Sequence, residues 1–230
     1  MISIIIPTLN EEKNITTLIP YLKNCCKSHY AEIIIADGGS TDKTIEAAKN
    51  LQAKLVICPG KGRAAQMNCG AAEALYDVLY FVHADSIPPP SFCADILSAI
   101  NNTYSCGRYQ TKFQGNSWLL KLNAFFTRFD WFMCYGGDQT LFMTKALFTE
   151  LHGYQDNLLI MEEYDLVERA KSLAGYKIFS KTALVSTRKY QSNSWLKVQR
   201  ANYNTVRLYK KGLNQPELVA QYKQALKDIR

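Results

Sequence analysis

Three carboxylates stand where carboxylates can do chemistry. Asp85 follows the apolar, strand-like run from Val78 to His83. A hard cation held at a strand end needs few protein ligands when phosphate oxygens and water complete its shell. Glu162 and Glu163 open a helix-like run that continues through Arg169. Glu163 falls at i, i+3, i+4 and i+7 with Leu166, Val167 and Ala170, which places it where the buried face meets a crevice. Glu162 is turned away from it by about 100°. A carboxylate placed like Glu163 can take a proton from a hydroxyl. Two acidic residues in a first helical turn also suit the helix dipole without any catalytic role.

Two further segments suit a phosphate-bearing ligand. In Asp37-Gly38-Gly39-Ser40-Thr41-Asp42 an acid ends a strand, glycines allow a tight turn and close approach, and a hydroxyl can cap the next helix. Asp37 could accept hydrogen bonds from a base or ribose, or cap a plain turn. Pro59-Gly60-Lys61-Gly62-Arg63 sets two cations among glycines at a helix start, with Gln66 and Asn68 just beyond. Gly137-Asp138-Gln139 offers a carboxylate and an amide to sugar or acceptor hydroxyls, and Arg188 with Lys189 offers paired cations to a diphosphate. Neither G-x-G-x-x-G nor G-x-x-x-x-G-K-[ST] occurs. The histidines are His29, His83 and His152, and no cysteine pair supports a zinc site. His83 lies two before Asp85 and reads as a strand-packed histidine or a second ligand.

The elements that must position these groups alternate in the first half. Strands are expected at Ile2 to Ile6, Glu32 to Ala36, Lys54 to Ile57 and Val78 to His83. Helices are expected at Glu11 to Lys27, Thr41 to Asn50 and Gly62 to Leu75. That order implies an α/β fold, a mostly parallel central sheet flanked by helices, with ligands beyond the strands' carboxyl ends. The second half is less regular: a helix after Pro88-Pro89-Pro90, a strand from Tyr104 to Phe113, an aromatic helix from Trp118 to Met133, and two closing helices from Trp195 and Pro216. The apolar stripe of the aromatic helix is expected in the core, in a dimer contact or in a membrane interface; its charges exclude a span.

The 230 residues, 47% hydrophobic, suit one domain, 1–230, with a nucleotide-binding half (1–100) and an acceptor half (101–230). The start, Met1 to Pro7, has no basic stretch or cleavage site and reads as a strand, not a leader. Seven cysteines without a C-x-x-C pair fit a reduced, cytoplasmic setting. The net charge of +7 is uneven: from Lys177 onward 12 Lys/Arg face 2 Asp/Glu. Such a basic third suits a solvated face or an anionic partner, among them phosphate, lipid or nucleic acid.

Together these motifs resemble the inverting family 2 glycosyltransferases of GT-A fold, in a small single-domain subgroup. Ser3 to Glu12 is similar to the family's opening strand and turn, Asp37 to Asp42 to its nucleotide loop, His83-Ala84-Asp85 to its D-x-D position, and Glu162 to Asp165 to its E-D motif. The resemblance implies a nucleotide-diphosphate sugar donor, UDP- or GDP-linked, bound through Pro7, Thr8, Asn10, Glu11, Asp37, Gly39, Lys61, Arg63, Gln66, Asn68, Ala84, Asp85 and Arg188. It implies Mg or Mn at Asp85, with Glu163 as the base that deprotonates an acceptor hydroxyl. Gly137, Asp138, Gln139 and Glu162 would meet the acceptor or sugar. The acceptor could be lipid-linked or phosphorylated, with peripheral contact at the inner membrane surface left open and nucleic acid not expected. His83 replaces the family's first Asp, and Glu163 is one methylene longer than its catalytic Asp. A nucleotidyltransferase on a related scaffold and a non-catalytic, membrane-associated binding module are the alternatives.

Overall fold

The computed structural model describes residues 1–60, 62–135 and 139–227. The first half follows the expected alternation: β1 (Ile2–Thr8), α1 (Glu12–Cys25), β2 (Ala31–Asp37), α2 (Thr44–Asn50), β3 (Lys54–Ile57), α3 (Arg63–Ala72) and β4 (Val78–Phe81). Then come β5 (Ser86–Ile87), α4 (Phe92–Asn101), β6 (Tyr104–Phe113), α5 (Trp118–Phe126), a 3-10 turn at Phe132–Cys134, β7 (Leu141–Thr144) and α6 (Lys145–Glu150). The chain closes with α7 (Glu162–Leu173), β8 (Gly175–Val185), α8 (Arg188–Gln191), α9 (Trp195–Lys210) and α10 (Gln215–Ala225).

One sheet, in the order β3-β2-β1-β4-β7-β6-β8-β5, runs through both halves. β3, β2, β1 and β4 are parallel. β7 is antiparallel to both of its neighbours, and β6 pairs parallel with β8. β5, β7 and β8 carry no clear signal in the sequence: β5 and β7 are very short, and β8 alternates poorly because Lys177 and Lys181 interrupt it.

The unbroken isoleucine run of β1 is covered on both faces. Ile2, Ile4 and Ile6 pack with Ile15, Ile19 and Leu22 of α1 and with Phe92 and Ile96 of α4. Ile5 faces the other way, with Ala64, Met67 and Ala71 of α3 and Leu166, Val167 and Ala170 of α7. The β1–β2 register sets Thr8 beside Asp37, so the carboxyl ends of the first strands finish level. α3 lies close on this sheet because Gly70 has no side chain: a Cβ there would stand 2.6 Å from Ile5 Cγ2.

The expected helix from Trp118 to Met133 is corrected to a shorter one. α5 stops at Phe126 because buried Arg108 captures the following carbonyls, donating from Nη1 to Thr127 O at 2.6 Å and from Nη2 to Phe129 O at 3.1 Å. The Thr127 hydroxyl also accepts from Thr111 N. The apolar face of α5 is not in the core: of its residues Leu120 alone is buried. No helix among the described residues is long and apolar enough to cross a membrane.

Gly70→Ala should force α3 off the sheet and cost about 1–3 kcal/mol of stability. Urea unfolding would show it as a lowered midpoint at unchanged slope; an unchanged midpoint would mean that α3 has room to shift.

Candidate active site

The strands' carboxyl ends carry a tightly bonded loop. Asp37 is fully buried, and its carboxylate accepts from Gly39 N (2.9 Å), Ser40 N (2.8 Å), Ser40 Oγ (2.6 Å) and Thr8 Oγ1 (3.0 Å). These four donors fix the turn, which passes through Gly39 at φ 94°. Asn10, itself left-handed at φ 56°, receives Thr41 N at 2.8 Å and Asp42 N at 3.2 Å on its side-chain oxygen. Its own amide donates to Ser40 Oγ at 2.8 Å, and Glu11 N donates to Thr44 Oγ1 at 2.8 Å. The Asn10 turn and the Asp37 loop therefore form one rigid rim.

Gln66 and Asn68 serve as bolts. Buried Gln66 donates from Nε2 to the carbonyls of Thr8 (2.6 Å) and Ala36 (3.2 Å), tying α3 to the ends of β1 and β2. Asn68 donates to Tyr154 O and Asp156 Oδ1, both at 2.8 Å, and accepts from Tyr154 N. Lys61, Gly137 and Asp138 lie outside the described residues.

Asp85 lies on the turn after β4, in the segment that follows buried Ala84, and is partly exposed. Arg188, at the start of α8, reaches it: Nη2 is 3.7 Å from Asp85 Oδ2 and 3.8 Å from Glu11 Oε1. Arg188 thus joins the Asn10–Asp37 rim to Asp85. Among the described residues no three His, Cys, Asp or Glu side chains converge into a metal cluster. A lone accessible carboxylate beside a cation fits Mg or Mn only if the ion is shared with a substrate's diphosphate oxygens, as such ions often are.

The strand period that would aim His83 alongside Asp85 has lapsed, because β4 ends at Phe81. His83 turns to α7 instead, with Nε2 3.1 Å from Glu163 Oε1. Glu162, placed away from the buried side by helical spacing, is fully buried as well, with Arg63 Nε 2.8 Å from its Oε1. Both acids turn inward because Met161, just before them, is left-handed at φ 71°. Such strain in a non-glycine residue costs about 1–2 kcal/mol. It is held by Met161 packing with Val206 and Leu218, and by Gln215 Oε1 receiving Leu159 N (3.0 Å) and Ile160 N (3.2 Å). The closing helices therefore set the angle at which α7 begins.

Burying two adjacent acids moves their proton affinities apart. Burial pushes the Glu162 carboxyl up to about 7; Arg63 opposes this and the Glu163 charge adds to it. Burial pushes Glu163 up too, but Arg63 and His83 outweigh it and hold that carboxyl down, at about 2. For His83, burial is outweighed by the bond to Glu163, so the imidazole is raised. Glu163 Oε2 has no hydrogen-bond partner among the described residues. Glu163 also lines a small cavity with Arg108, Gln139, Thr140 and Tyr176, room for about one water at ≈ 10 Å³. Arg108 and the partner of His83 escape a reading of the sequence: Arg108 is a lone cation in a strand, and nothing in His83-Ala84-Asp85 says that the histidine meets Glu163 rather than a metal.

Glu162 holds its proton to a higher pH when folded than when unfolded, so its contribution to stability falls as pH rises from about 4.5 to about 7. His83, raised, adds a loss of the same sign, while the lowered Glu163 loses stability only in acid. Urea melts from about pH 5 to about pH 8 should show falling stability, and Glu162→Gln should flatten that slope. Equal slopes would mean that Glu162 is ionised throughout.

Comparison with known proteins agrees with this architecture. Residues 3–155 match the family model described as "Glycosyl transferase family 2". The chain is 32% identical over 106 residues to a dolichol-phosphate mannosyltransferase of Pyrococcus furiosus, covering 44% of this chain and 30% of that protein. It is 30% identical over 110 residues to a glucosyl-3-phosphoglycerate synthase of Mycolicibacterium smegmatis, covering 43% of this chain and 36% of the relative. The chain thus spans about a third of the length of these curated relatives. Among solved structures it superposes on S. aureus TarS in complex with UDP, with TM-score 0.64, 18% identity, and coverage of 81% of this chain and 60% of that one. It also superposes on the glucosyl-3-phosphoglycerate synthase of Mycobacterium tuberculosis in complex with Mn2+, UDP and glucosyl-3-phosphoglycerate, with TM-score 0.62, 18% identity, and coverage of 93% and 80%. At such identities the likeness establishes the fold, which is the α/β GT-A architecture that the motifs imply. With two thirds of its length matched by the family model, this chain belongs to glycosyl transferase family 2.

Proposed function

We propose that this protein moves a sugar from a nucleotide-diphosphate donor to an acceptor hydroxyl by a single displacement with inversion. The observation that carries the reading is the placement of Glu163: a buried carboxylate of low proton affinity, anchored on one oxygen by His83, which lies two residues before Asp85, and without a hydrogen-bond partner among the described residues on the other. A donor lies along the rim from Asp37 and Asn10 to Asp85, with Pro7, Thr8, Glu11, Gly39 and Ala84 shaping that rim. Arg188, and Arg63 at the start of α3, add positive charge where the diphosphate departs, and Lys61 is assigned the same role from the sequence alone. Asp85 would hold Mg or Mn together with the donor, and the ion would supply further neutralisation of that charge. Solved neighbours named with UDP, and one with Mn2+ as well, support a UDP-linked donor.

Glu163 takes the acceptor hydroxyl's proton on Oε2 as the hydroxyl oxygen attacks the anomeric carbon from the face opposite the leaving nucleoside diphosphate. His83 is a positioning residue: its bond to Oε1 fixes the carboxylate. The low proton affinity of Glu163 makes it a base that acts only as the attacking hydroxyl acidifies. Gln139 and Glu162 are assigned to the acceptor side, as are Gly137 and Asp138 from the sequence alone. Relatives named for a dolichol phosphate, a dolichyl phosphate sugar and 3-phosphoglycerate support a phosphorylated or lipid-linked acceptor.

Glu163→Gln should lower kcat by about 10²–10⁴ while UDP-sugar affinity stays within a few fold. A kcat near wild type would remove Glu163 as the base. Asp85→Ala should abolish the gain in donor affinity that Mn brings, read by calorimetry with and without the metal; an unchanged gain would place the ion elsewhere. Release of nucleoside diphosphate separates this reaction from nucleotidyl transfer, which releases pyrophosphate.

A further inference from the structure

α5 is turned inside out. Leu120 faces the core, and the opposite arc presents Trp118, Leu122 and Phe125 to solvent, with Trp118 71% exposed. The turn that follows enlarges the patch. Phe129 stacks on Trp131 at 4.7 Å between centroids, Phe126 stacks on Trp131 at 6.0 Å, and Trp131 is 54% exposed. Clustered apolar surface of this kind marks an interaction site.

α9 runs alongside this segment and supplies charge. The Tyr190 hydroxyl accepts from Asn123 of α5 and from Gln199 of α9, both at 3.3 Å. Eleven residues further on, Lys210 Nζ sits 3.9 Å above the Phe132 ring. The outward stripe of α9 is Leu196 (73% exposed), Arg200, Tyr203 and Arg207. No Asp or Glu occurs between Asp95 and Asp130 or between Glu168 and Glu217, and Asp130 is bound to Lys171 at 2.6 Å. All three tryptophans of the chain, Trp118, Trp131 and Trp195, belong to these two helices and their turn.

We propose that α5, its following turn and the adjoining face of α9 dock on an anionic lipid bilayer, lying in the plane of the headgroups. Amphipathic ends of aromatic side chains favour that depth, and Lys and Arg beside them meet anionic headgroups. Charge decides against a second copy of this chain: a two-fold contact would set each cationic surface against itself, and the carboxylate in the turn, Asp130, is already paired with Lys171. The Phe132 ring, 5.1 Å from that of Tyr164, brings the docked surface up to the residue after Glu163. Docking makes no use of the sugar-transfer reading and can be tested without it.

The whole chain is floated with vesicles of phosphatidylcholine, alone or with about a third phosphatidylglycerol. Co-flotation with the anionic vesicles, a blue shift of tryptophan fluorescence and quenching by brominated acyl chains are expected, each weakened by salt. Trp118→Ser with Phe125→Ser should weaken partitioning by roughly tenfold or more. Its melting temperature should stay unchanged, since both side chains are exposed. Lys121, exposed on α5 beside Trp118 and Leu122, is the cation of that helix, and Lys121→Glu with Arg200→Glu should weaken binding to the anionic vesicles alone. Absent flotation, or equal flotation of the variants, overturns the proposal. A dimer in light scattering that the Trp118/Phe125 variant dissolves would assign the patch to a second copy and overturn it too.

Discussion

Two neighbouring carboxylates buried at the start of one helix are the constraint around which this molecule is arranged. Unpaired, each would lose its charge or unfold the site. Arg63 answers Glu162 from the start of α3, and His83 answers Glu163 from the end of β4. The two partners lie 20 residues apart on separate elements, and the acids lie about 80 residues further on. The site exists only while α3, β4 and α7 keep their places. The amides at the N-terminus of α7 add a favourable field.

Each element is held by a small number of specific contacts. Gln66 bolts α3 to the carbonyls at the ends of β1 and β2, and Gly70 lets the helix approach the sheet. Asn68 holds the chain at Tyr154, upstream of α7. Met161 turns that chain inward at a cost in backbone strain, and the packing of α9 and α10 offsets it. Strained backbone of this kind collects at functional sites, and here it precedes two buried acids with separate partners, Arg63 and His83. The C-terminal helices thus have two faces, one holding the start of α7 and one presenting cations to solvent.

Much of the first half was legible because local chemistry forces it. A β-branched run must be a covered strand, and glycines after an acid at a strand end must turn. The same local logic misled over the aromatic segment. Its stripe predicts one long helix, but Arg108 takes the carbonyls of Thr127 and Phe129 and ends it at Phe126. Gln66 and Asn68 read as ligand contacts, since an amide near a glycine-rich turn gives no sign of whether it faces a ligand or a carbonyl of its own chain.

The sequence by itself determined the alternating elements, the strand end carrying Asp37, the place of Asp85 beyond the fourth strand, and the acidic opening of α7, since each follows from short-range periodicity and turn chemistry. Only the tertiary structure decided that His83 serves Glu163, that Glu162 is buried against Arg63, and that the aromatic face of α5 points outward. Those outcomes depend on which surfaces meet across long separations. Contacts of that kind are set by the packing of whole elements, and spacing along the chain does not encode them.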